Sequence, residues 1–396
     1  MSKRVEYNPK VVSVLSTEVT YLVKSNLSDV KASAKKRCKK FLSYDYPQTA
    51  QQRLLDLAGY VGADAAMDRA GTGELVEQLE QRLISLLGKE AVVFMASGKM
   101  AQMLALKIWT ERRNIPRIAI HPRSHIEDQK RERKAYQEVY GLKATWIGDY
   151  NRRTTITDLS ALADPVGAIA LEIPLRALGC VLPPLDELKA MSEWARERNI
   201  PFHADAARLW EIAPYYGRSY AEIAALFDSL YVSLYKGLGG IAGAALAGPE
   251  DLINETKHWQ LRLGGRLAKQ FPMLIDALRG LETRLPLMET FYEKAKELAA
   301  AIASLPGVWV TPNPPHANAM IIALQGDQDR LVEAAIEVAE RTGLWVFDLP
   351  VDSPIQGIAM FELTVRGATL DVSAEEAVQA ISLLQNVMGA NPGPAC

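Results

Sequence analysis

Residues 229–240 read Ser-Leu-Tyr-Val-Ser-Leu-Tyr-Lys-Gly-Leu-Gly-Gly, a short apolar run followed by Lys236 and a glycine-rich turn. The run predicts a buried strand, so Lys236 is expected just beyond the carboxyl end of that strand. Glycine has no side chain, and the backbone beside the lysine can therefore approach a flat ring closely. Lys236 is a candidate for covalent catalysis, because a lysine amine can condense with an aldehyde.

A second polar residue, Asp205, ends another apolar stretch, Phe-His-Ala-Asp-Ala-Ala-Arg-Leu-Trp at 202–210. A buried carboxylate needs a partner, and the nitrogen of a pyridinium ring is one. Lys236 and Asp205 together therefore predict bound pyridoxal 5'-phosphate, with the lysine as its Schiff base. The alternative for Asp205 is a helix N-cap. Arg208 is expected one helical turn beyond Asp205, within reach of the ring hydroxyl or of a substrate carboxylate.

Strand and helix signals alternate through the middle of the chain. Apolar runs that predict strands occur at 91–95, 117–121, 144–147, 167–171, 201–203, 229–233 and 242–247. This alternation predicts an α/β fold in which helices cover a largely parallel sheet. Ligands on such sheets bind at the carboxyl ends of the strands. Residues that directly follow predicted strands are thus expected in one pocket: Ser97, His125, Asp205 and Lys236.

The chain of 396 residues is longer than one hydrophobic core usually supports. After about residue 249 its pattern changes to amphipathic helices, expected at 252–281 and 287–305, and then to a smaller set of strands and helices. We expect three parts. An N-terminal basic segment, 1–50, joins the small domain; residues 51–250 form a large cofactor-binding domain; residues 251–396 form linking helices and a small C-terminal domain.

Composition excludes several classes of function. With 45 basic and 47 acidic residues the net charge is −2, so nothing favours nucleic acid or an anionic membrane as a partner. Cys38, Cys180 and Cys396 are too scattered for a disulfide framework or a metal site. We find no apolar stretch near the roughly 20 residues that span a bilayer. The expectation is a cytoplasmic protein that acts on a small molecule.

With these residues in place, the chain resembles the fold-type I pyridoxal phosphate enzymes, specifically the threonine aldolase and aromatic amino acid beta-eliminating lyase group. The order and spacing of several motifs carry the resemblance: Leu-Gly-Lys-Glu-Ala at 87–91, Ser-Gly at 97–98, Ser-His-Ile at 124–126, His-Ala-Asp-Ala-Ala-Arg-Leu at 203–209 and Lys-Gly-Leu-Gly at 236–239. It implies an aspartate aminotransferase-like three-layer α/β fold with a mainly parallel sheet, plus a smaller α+β C-terminal domain.

The resemblance also implies roles for single residues. Lys236 would be the Schiff-base lysine, Asp205 the partner of the pyridine nitrogen and His125 the base that stacks on the ring. The remaining cofactor-binding candidates are Arg208 and, toward the phosphate, Ser97, Gly98, Lys99 and Lys269. Lys269 would reach the phosphate across a dimer interface, since family members are homodimers or homotetramers with shared active sites. The substrate-binding candidates are Arg208, Arg366 and Ser43.

Three positions depart from the family pattern, one of them a family tyrosine that is missing from the loop before Gly71. Aldolases carry threonine where this chain has Lys99, whose ammonium either adds charge at the phosphate or points to solvent. The arginine that grips the substrate carboxylate has no ungapped match, because Arg366 is one residue too close to Asp371. One step along a strand turns a side chain to the other face. Either a bulge restores Arg366, or Glu362 or Thr364 faces the site and the substrate is held differently.

The resemblance implies a lyase acting on an amino acid. The leading hypothesis is retro-aldol cleavage of a beta-hydroxy-alpha-amino acid to glycine and an aldehyde, with a base near His125 taking the hydroxyl proton. The alternative on the same scaffold is beta-elimination from a beta-substituted amino acid, in which Lys236 removes the alpha proton. A third reading, from another class, is a catalytically inactive protein that binds pyridoxal phosphate or an amino acid.

Overall fold

The computed structural model describes residues 27–130 and 132–389. Helices occupy much of this part of the chain. They are α1 (27–37), α2 (Ala50–Tyr60), α3 (Glu74–Leu87), α4 (Gly98–Arg112), α5 (Ala135–Glu138), α6 (Ile156–Ser160), α7 (Leu185–Glu197), α8 (Leu209–Tyr216), α9 (Tyr220–Ala224), α10 (Glu250–Arg262), α11 (Phe271–Thr283), α12 (Met288–Ala303), α13 (Leu331–Thr342) and α14 (Ala374–Gly389).

The strands fall into a large sheet, a small sheet and one short pair. The large sheet contains β2 (Ala91–Met95), β3 (Arg117–Ile120), β4 (Lys143–Trp146), β5 (Ala168–Glu172), β6 (Phe202–Asp205), β7 (Ser229–Ser233) and β8 (Ala244–Gly248). The other strands are β1 (Lys40–Phe41), β9 (Val308–Thr311), β10 (Ala319–Gln325), β11 (Leu344–Trp345), β12 (Leu349–Val351) and β13 (Ile358–Thr364).

The large sheet has the strand order β2-β8-β7-β6-β5-β3-β4. Within it β8 runs antiparallel to both of its neighbours, and the other pairings are parallel. Side chains alternate between two cores: Val93 and Met95 pack with α4, whereas Val92 and Phe94 join the cluster that contains α3, α7 and α8. Both faces are thus covered by helices, and the predicted α/β class with a mainly parallel sheet is confirmed.

The smaller unit contains an antiparallel sheet of order β12-β13-β10-β9. Strand β1 from the N-terminal region pairs in parallel with β11, and Tyr44 forms a bridge with Val365. Lysines of α1 reach the same unit, because Lys31 and Lys35 donate to Asp348 at 2.9 and 2.7 Å. The division at residues 50 and 250 remains a proposal.

Two expectations about helices are wrong. The helix expected at 252–281 is two helices, α10 and α11. Gly264 between them takes a left-handed φ of 69°, and Pro272 in the first turn of α11 lacks the N–H that a continuous helix would need. Arg208 does not follow Asp205 by one helical turn. It is the N-cap of α8, which begins only at Leu209, and Asp205 is therefore not a helix cap.

Helix α11 lies directly against the turn that follows Lys236. A Cβ added at Gly280 would overlap the carbonyl oxygen of Leu238, so this helix position has no room for a side chain. Asp276, fully buried on the same helix, accepts from the backbone N–H of Ile241 at 2.8 Å and from Arg53 at 2.6 Å. The position of the glycine-rich turn thus depends on α11.

Replacing Gly280 by alanine should lower the free energy of unfolding by about 1–3 kcal/mol, because overpacking against the Leu238 carbonyl outweighs the better helix propensity of alanine. The matched control is Gly59→Ala on α2, where an added Cβ has no atom within 4 Å. That variant should be neutral or slightly stabilising. Denaturant unfolding of both variants checks the pair, and equal stability of the two would contradict the packing argument.

Candidate active site

A cavity of about 310 Å³ opens at the carboxyl ends of β5, β6 and β7. Strand ends of the large sheet supply one side, and segments of the smaller unit supply the other. Its lining residues are Tyr44, His125, Glu172, Ile173, Pro174, Arg176, Asp205, Ala207, Arg208, Tyr235, Lys236, Leu349 and Arg366. The structure thus brings five of the predicted site residues into one cavity: Lys236, Asp205, His125, Arg208 and Arg366.

Lys236 lies three residues beyond the end of β7. The Ser233 hydroxyl accepts the backbone N–H groups of Tyr235 and Lys236, both at 3.2 Å, and so fixes the turn that aims the lysine at the cavity. Burial lowers the pKa of the Lys236 ammonium, against the opposing effect of Asp205. A larger fraction of neutral amine is therefore available near neutral pH, and a neutral amine is the nucleophilic form.

Asp205 is buried at the end of β6. The side chain of Gln102 on α4 donates to its Oδ2 at 3.0 Å, and the backbone N–H of Ala207 donates to Oδ1 at 3.3 Å. One turn before Gln102, α4 begins at Gly98, where an added Cβ would overlap the hydroxyl of Tyr231. Asp205 is thus joined to a helix N-terminus that tolerates no side chain.

Glu172 ends β5 directly beside Asp205, its partner in the parallel register. Burial, and then the charge of Asp205, raise the pKa of Glu172. Its two oxygens accept backbone N–H groups from different loops, His125 at 2.5 Å and Arg176 at 3.1 Å. This carboxylate therefore positions the loops that carry two other cavity residues.

His125 lines the cavity, and the carboxylate of Glu132 contacts one of its ring nitrogens. Its Nε2 lies 3.2 Å from Oε1 of Glu132, whose Oε2 lies 3.2 Å from the ammonium of Lys99. Glu132 raises the pKa of His125, more than burial lowers it. The Glu132 carboxylate thus contacts both the imidazole of His125 and the ammonium of Lys99. His203, by contrast, bonds Ser229 at 2.9 Å, and burial lowers its pKa to about 3.

Strand β13 resolves the two alternatives for the carboxylate-binding position. Phe361, Leu363 and Val365 are fully buried in the core, so the side chains between them point to the other face. Glu362 and Arg366 are both on that face, and Arg366 lines the cavity without a bulge. Arg366 therefore reaches the cavity without the bulge that the first alternative required, and Glu362 and Thr364, named in the second alternative, do not line the cavity.

Glu362 lies behind the wall of this cavity and is contacted by several donors. Its Oε1 accepts from Arg208 at 3.2 Å, Tyr44 at 3.1 Å and Thr364 at 3.0 Å, and its Oε2 lies 2.7 Å from Nε of Arg176. Burial alone would raise the pKa of Glu362, but the two guanidinium groups and the hydroxyls lower it to about 2. The group is anionic at any physiological pH.

The other predicted residues lie around the cavity without lining it. Ser97 is the N-cap of α4, and Lys99 is held by Glu132 as described above. Lys269 donates to the carbonyl of Asp68 at 2.7 Å. The hydroxyl of Ser43 accepts the backbone N–H of Thr364 at 3.0 Å, so the next residue, Tyr44, reaches the cavity instead.

Sequence reasoning missed several residues of the site. Glu172 directly follows the strand predicted at 167–171 and could have been found by the same rule that identified Asp205. Tyr44, Arg176 and Glu132 come from loops, and no local pattern identified them.

In residues 27–130 and 132–389 no group of three or more His, Cys, Asp or Glu side chains is arranged to hold a metal ion. No helix in this part of the chain is both long and apolar enough to cross a membrane.

Known proteins resemble this chain in sequence. The family described as beta-eliminating lyase matches residues 60–326. A low-specificity L-threonine aldolase of Candida albicans is 27% identical over 242 residues, which are 57% of this chain and 62% of the relative. A low-specificity L-threonine aldolase of Escherichia coli is 26% identical over 261 residues, 61% of this chain and 73% of the relative. The chain spans about 58–62% of the length of the first curated relatives it matches.

Solved structures match more of the chain. A Listeria monocytogenes protein provisionally assigned as an L-allo-threonine aldolase is 32% identical, with a TM-score of 0.84 over 91% of this chain and 99% of its own. An Exiguobacterium protein provisionally assigned as an aromatic amino acid beta-eliminating lyase/threonine aldolase is 34% identical, with a TM-score of 0.84 over 90% and 99%. The predicted fold-type I architecture and the family resemblance are confirmed. The chain belongs to the beta-eliminating lyase family.

Proposed function

We propose that this protein binds pyridoxal phosphate at Lys236 and cleaves a beta-hydroxy-alpha-amino acid into glycine and an aldehyde. The observation that carries the proposal is one cavity lined by a lysine, an aspartate, a histidine and an arginine: Lys236, Asp205, His125 and Arg366. Enzymes of this family depend on pyridoxal phosphate. The residues that a retro-aldol reaction needs are thus within reach of one small substrate.

The donor set fits this cofactor. Lys236 has the lowered pKa that bonding to an aldehyde carbon requires. Asp205 is a buried acid whose oxygens accept, within the described residues, from two uncharged donors, Gln102 and the Ala207 N–H, which suits a cationic ring nitrogen. Helix α4 begins at Gly98, which has no side chain, so a phosphate can approach the backbone N–H groups of this helix N-terminus. When bound, the cofactor supplies an electron sink for the pair of electrons that a broken bond leaves behind.

We assign the proton transfer to His125. The Glu132 carboxylate fixes Nε2 of the imidazole, and the hydrogen bond from the His125 backbone to Glu172 fixes its loop. The ring can then take the proton of a substrate hydroxyl, which retro-aldol cleavage requires. Arg366 would hold the substrate carboxylate, because its nearest acid, Asp45, is 3.7 Å away and its Nε has no hydrogen-bond partner among the described residues.

Beta-elimination is the second candidate, since the matching family bears that name. It would yield a 2-keto acid and ammonia in place of glycine and an aldehyde. Lys236 would then remove the alpha proton, and His125 would not be required as a base. Product analysis with a beta-hydroxy amino acid and a beta-substituted one therefore distinguishes the two reactions.

We also propose a cytoplasmic homodimer or homotetramer in which neighbouring subunits share active sites. Leu54 and Leu55 on α2 are 59% and 63% exposed, a considerable apolar surface for one helix. Arg53 on the same helix donates to the Gly239 carbonyl beside the catalytic lysine. A second copy seated on α2 would therefore lie next to the cavity, where its Lys269 is proposed to reach the phosphate.

The proposed cytoplasmic location has separate support. The free Cys38 and Cys180 are consistent with a reducing compartment.

Replacing Lys236 by alanine should abolish the visible absorbance band of the cofactor-loaded protein and lower aldehyde release by about 10²–10⁴-fold, because the covalent anchor and a proton carrier are lost together. Absorbance spectra before and after borohydride reduction, with a coupled aldehyde assay, measure both effects. The control is Lys143→Ala on the exposed surface of β4, which should keep band and activity. An unchanged band in the Lys236 variant would refute the assignment.

The pH profile of kcat/KM should show an acid limb, because His125 must be neutral to accept a proton. Its pKa lies above the ordinary histidine value of about 6.5, so activity should fall as the pH drops through that raised value. Glu132→Gln removes the main cause and should move the acid limb to lower pH. The other charges that act on His125 are Glu172, Asp205 and Lys236.

Glu138→Gln, an exposed change near the same loop, serves as the control for this profile and should leave the acid limb where it is. An acid limb that stays in place in the Glu132 variant would remove His125 as the group that titrates.

Changing Leu54 and Leu55 together to glutamate should shift the solution mass toward the 43.6 kDa of one chain and weaken cofactor retention, because charge would enter the proposed subunit interface. Light scattering after size exclusion measures the mass. Val139→Glu, at a side chain that is 68% exposed and follows α5, should leave the mass unchanged. A wild-type protein with the mass of a single chain would rule out the shared site.

A further inference from the structure

The arginines of the cavity differ in how far their charge is compensated. Three of them line it: Arg176, Arg208 and Arg366. A carboxylate of the substrate will bind best where a guanidinium charge remains uncompensated. The positions of the acids behind the cavity wall therefore decide how many carboxylates of one substrate the cavity can bind.

Two acids compensate Arg176 and Arg208. Glu362 lies 2.7 Å from Nε of Arg176 and 3.2 Å from Nη2 of Arg208, and Glu211 lies 3.5 Å from Nη1 of Arg208. Both glutamates are buried, with exposures of 3% and 0%, so solvent barely screens them. Two positive and two negative charges leave this part of the wall neutral.

The surroundings of Arg366 give a different balance. Asp45 is shared between two arginines, and it favours Arg284 at 2.6 Å over Arg366 at 3.7 Å. Its Oδ1 also accepts the backbone N–H of Gly367 at 3.0 Å. Two cations and one anion leave one positive charge, and Arg366 is the residue of this group that faces the cavity.

We propose that Glu362 is a specificity-determining residue that restricts this site to amino acids with one carboxylate. Together with Glu211 it balances the charges of Arg176 and Arg208 and so leaves Arg366 as the anion-binding arginine of the cavity. The inference rests on the proposed function and narrows its substrate class to beta-hydroxy amino acids with an uncharged side chain.

A dicarboxylic substrate illustrates the consequence. With its alpha-carboxylate on Arg366, its second carboxylate would face a wall whose positive charge is already balanced. The ion would lose its hydration without gaining a free cation. An amide of the same shape loses much less, and so asparagine and aspartate form a matched pair of probes that differ in charge alone.

The test measures binding by the change in absorbance of the cofactor-loaded protein when L-asparagine or L-aspartate is added. We expect the wild type to bind asparagine about 10-fold or more tightly than aspartate, the size of one charge-assisted interaction. Glu362→Gln should reduce that ratio by about the same factor, because Arg176 and Arg208 would regain positive charge. Thr364→Val removes a hydroxyl donor from the same carboxylate without changing charge and should leave the ratio unaltered.

A second variant changes the ratio in the opposite direction. Arg176→Gln leaves Glu362 with less positive charge around it, so discrimination against aspartate should increase. A wild type that binds aspartate as tightly as asparagine overturns the proposal even if the Glu362 variant does not fold. An unchanged ratio in a folded Glu362 variant overturns it as well.

These outcomes are separable from those of the proposed function. Discrimination between the probes without release of an aldehyde from any beta-hydroxy amino acid would contradict the function and leave the role of Glu362 standing. Cleavage of threonine and 3-hydroxyaspartate with equal kcat/KM would contradict the role of Glu362 alone. No absorbance response to either probe would overturn both.

Discussion

The site depends on two buried carboxylates placed side by side. Glu172 and Asp205 end neighbouring parallel strands and are partners in the register, so the sheet itself brings like charges together away from water. Such a pair is costly unless each acid has its own donors. Glu172 accepts backbone N–H groups from the two loops that carry His125 and Arg176, and Asp205 accepts from the Gln102 side chain and the Ala207 N–H. Glu172 thus positions the two loops, and Asp205 is the acid that we propose as the partner of a cationic ring nitrogen.

The same compensation extends through the rest of the cavity. Arginines and acids alternate from Arg176 through Glu362 to Arg208 and Glu211, in a region where solvent screening is weak. Buried ion pairs of this kind contribute little net stability against an apolar core, but losing one member leaves the other uncompensated. The network therefore fixes geometry and charge more than it adds to the free energy of unfolding. It defines what the cavity can accept.

The sequence predicted the large-sheet half of the site well, because residues that follow buried strands must meet at one edge of a parallel sheet. That rule identified Lys236, Asp205 and His125. It failed where loop conformation decides: Glu132 bonds His125 through a turn that no local pattern specifies. The sequence did not show which face of β13 carries the Arg366 side chain. That face follows from the alternation of side chains only when the residues that β13 buries in the core are known. The break between α10 and α11 was missed although Gly264 and Pro272 marked it.

The pairing of β1 with β11 has a consequence for how the chain acquires its cavity. Lys40 pairs with Leu344, and Tyr44, which lines the cavity, forms a bridge with Val365. Contacts between such distant parts of a chain form late, because the loop they close is long. During synthesis the ribosome releases residues 40–44 long before their partners exist. Tyr44, an early-made residue of the cavity wall, is thus seated only after Val365 has been synthesised, and nascent chains that stop before that point lack a complete site.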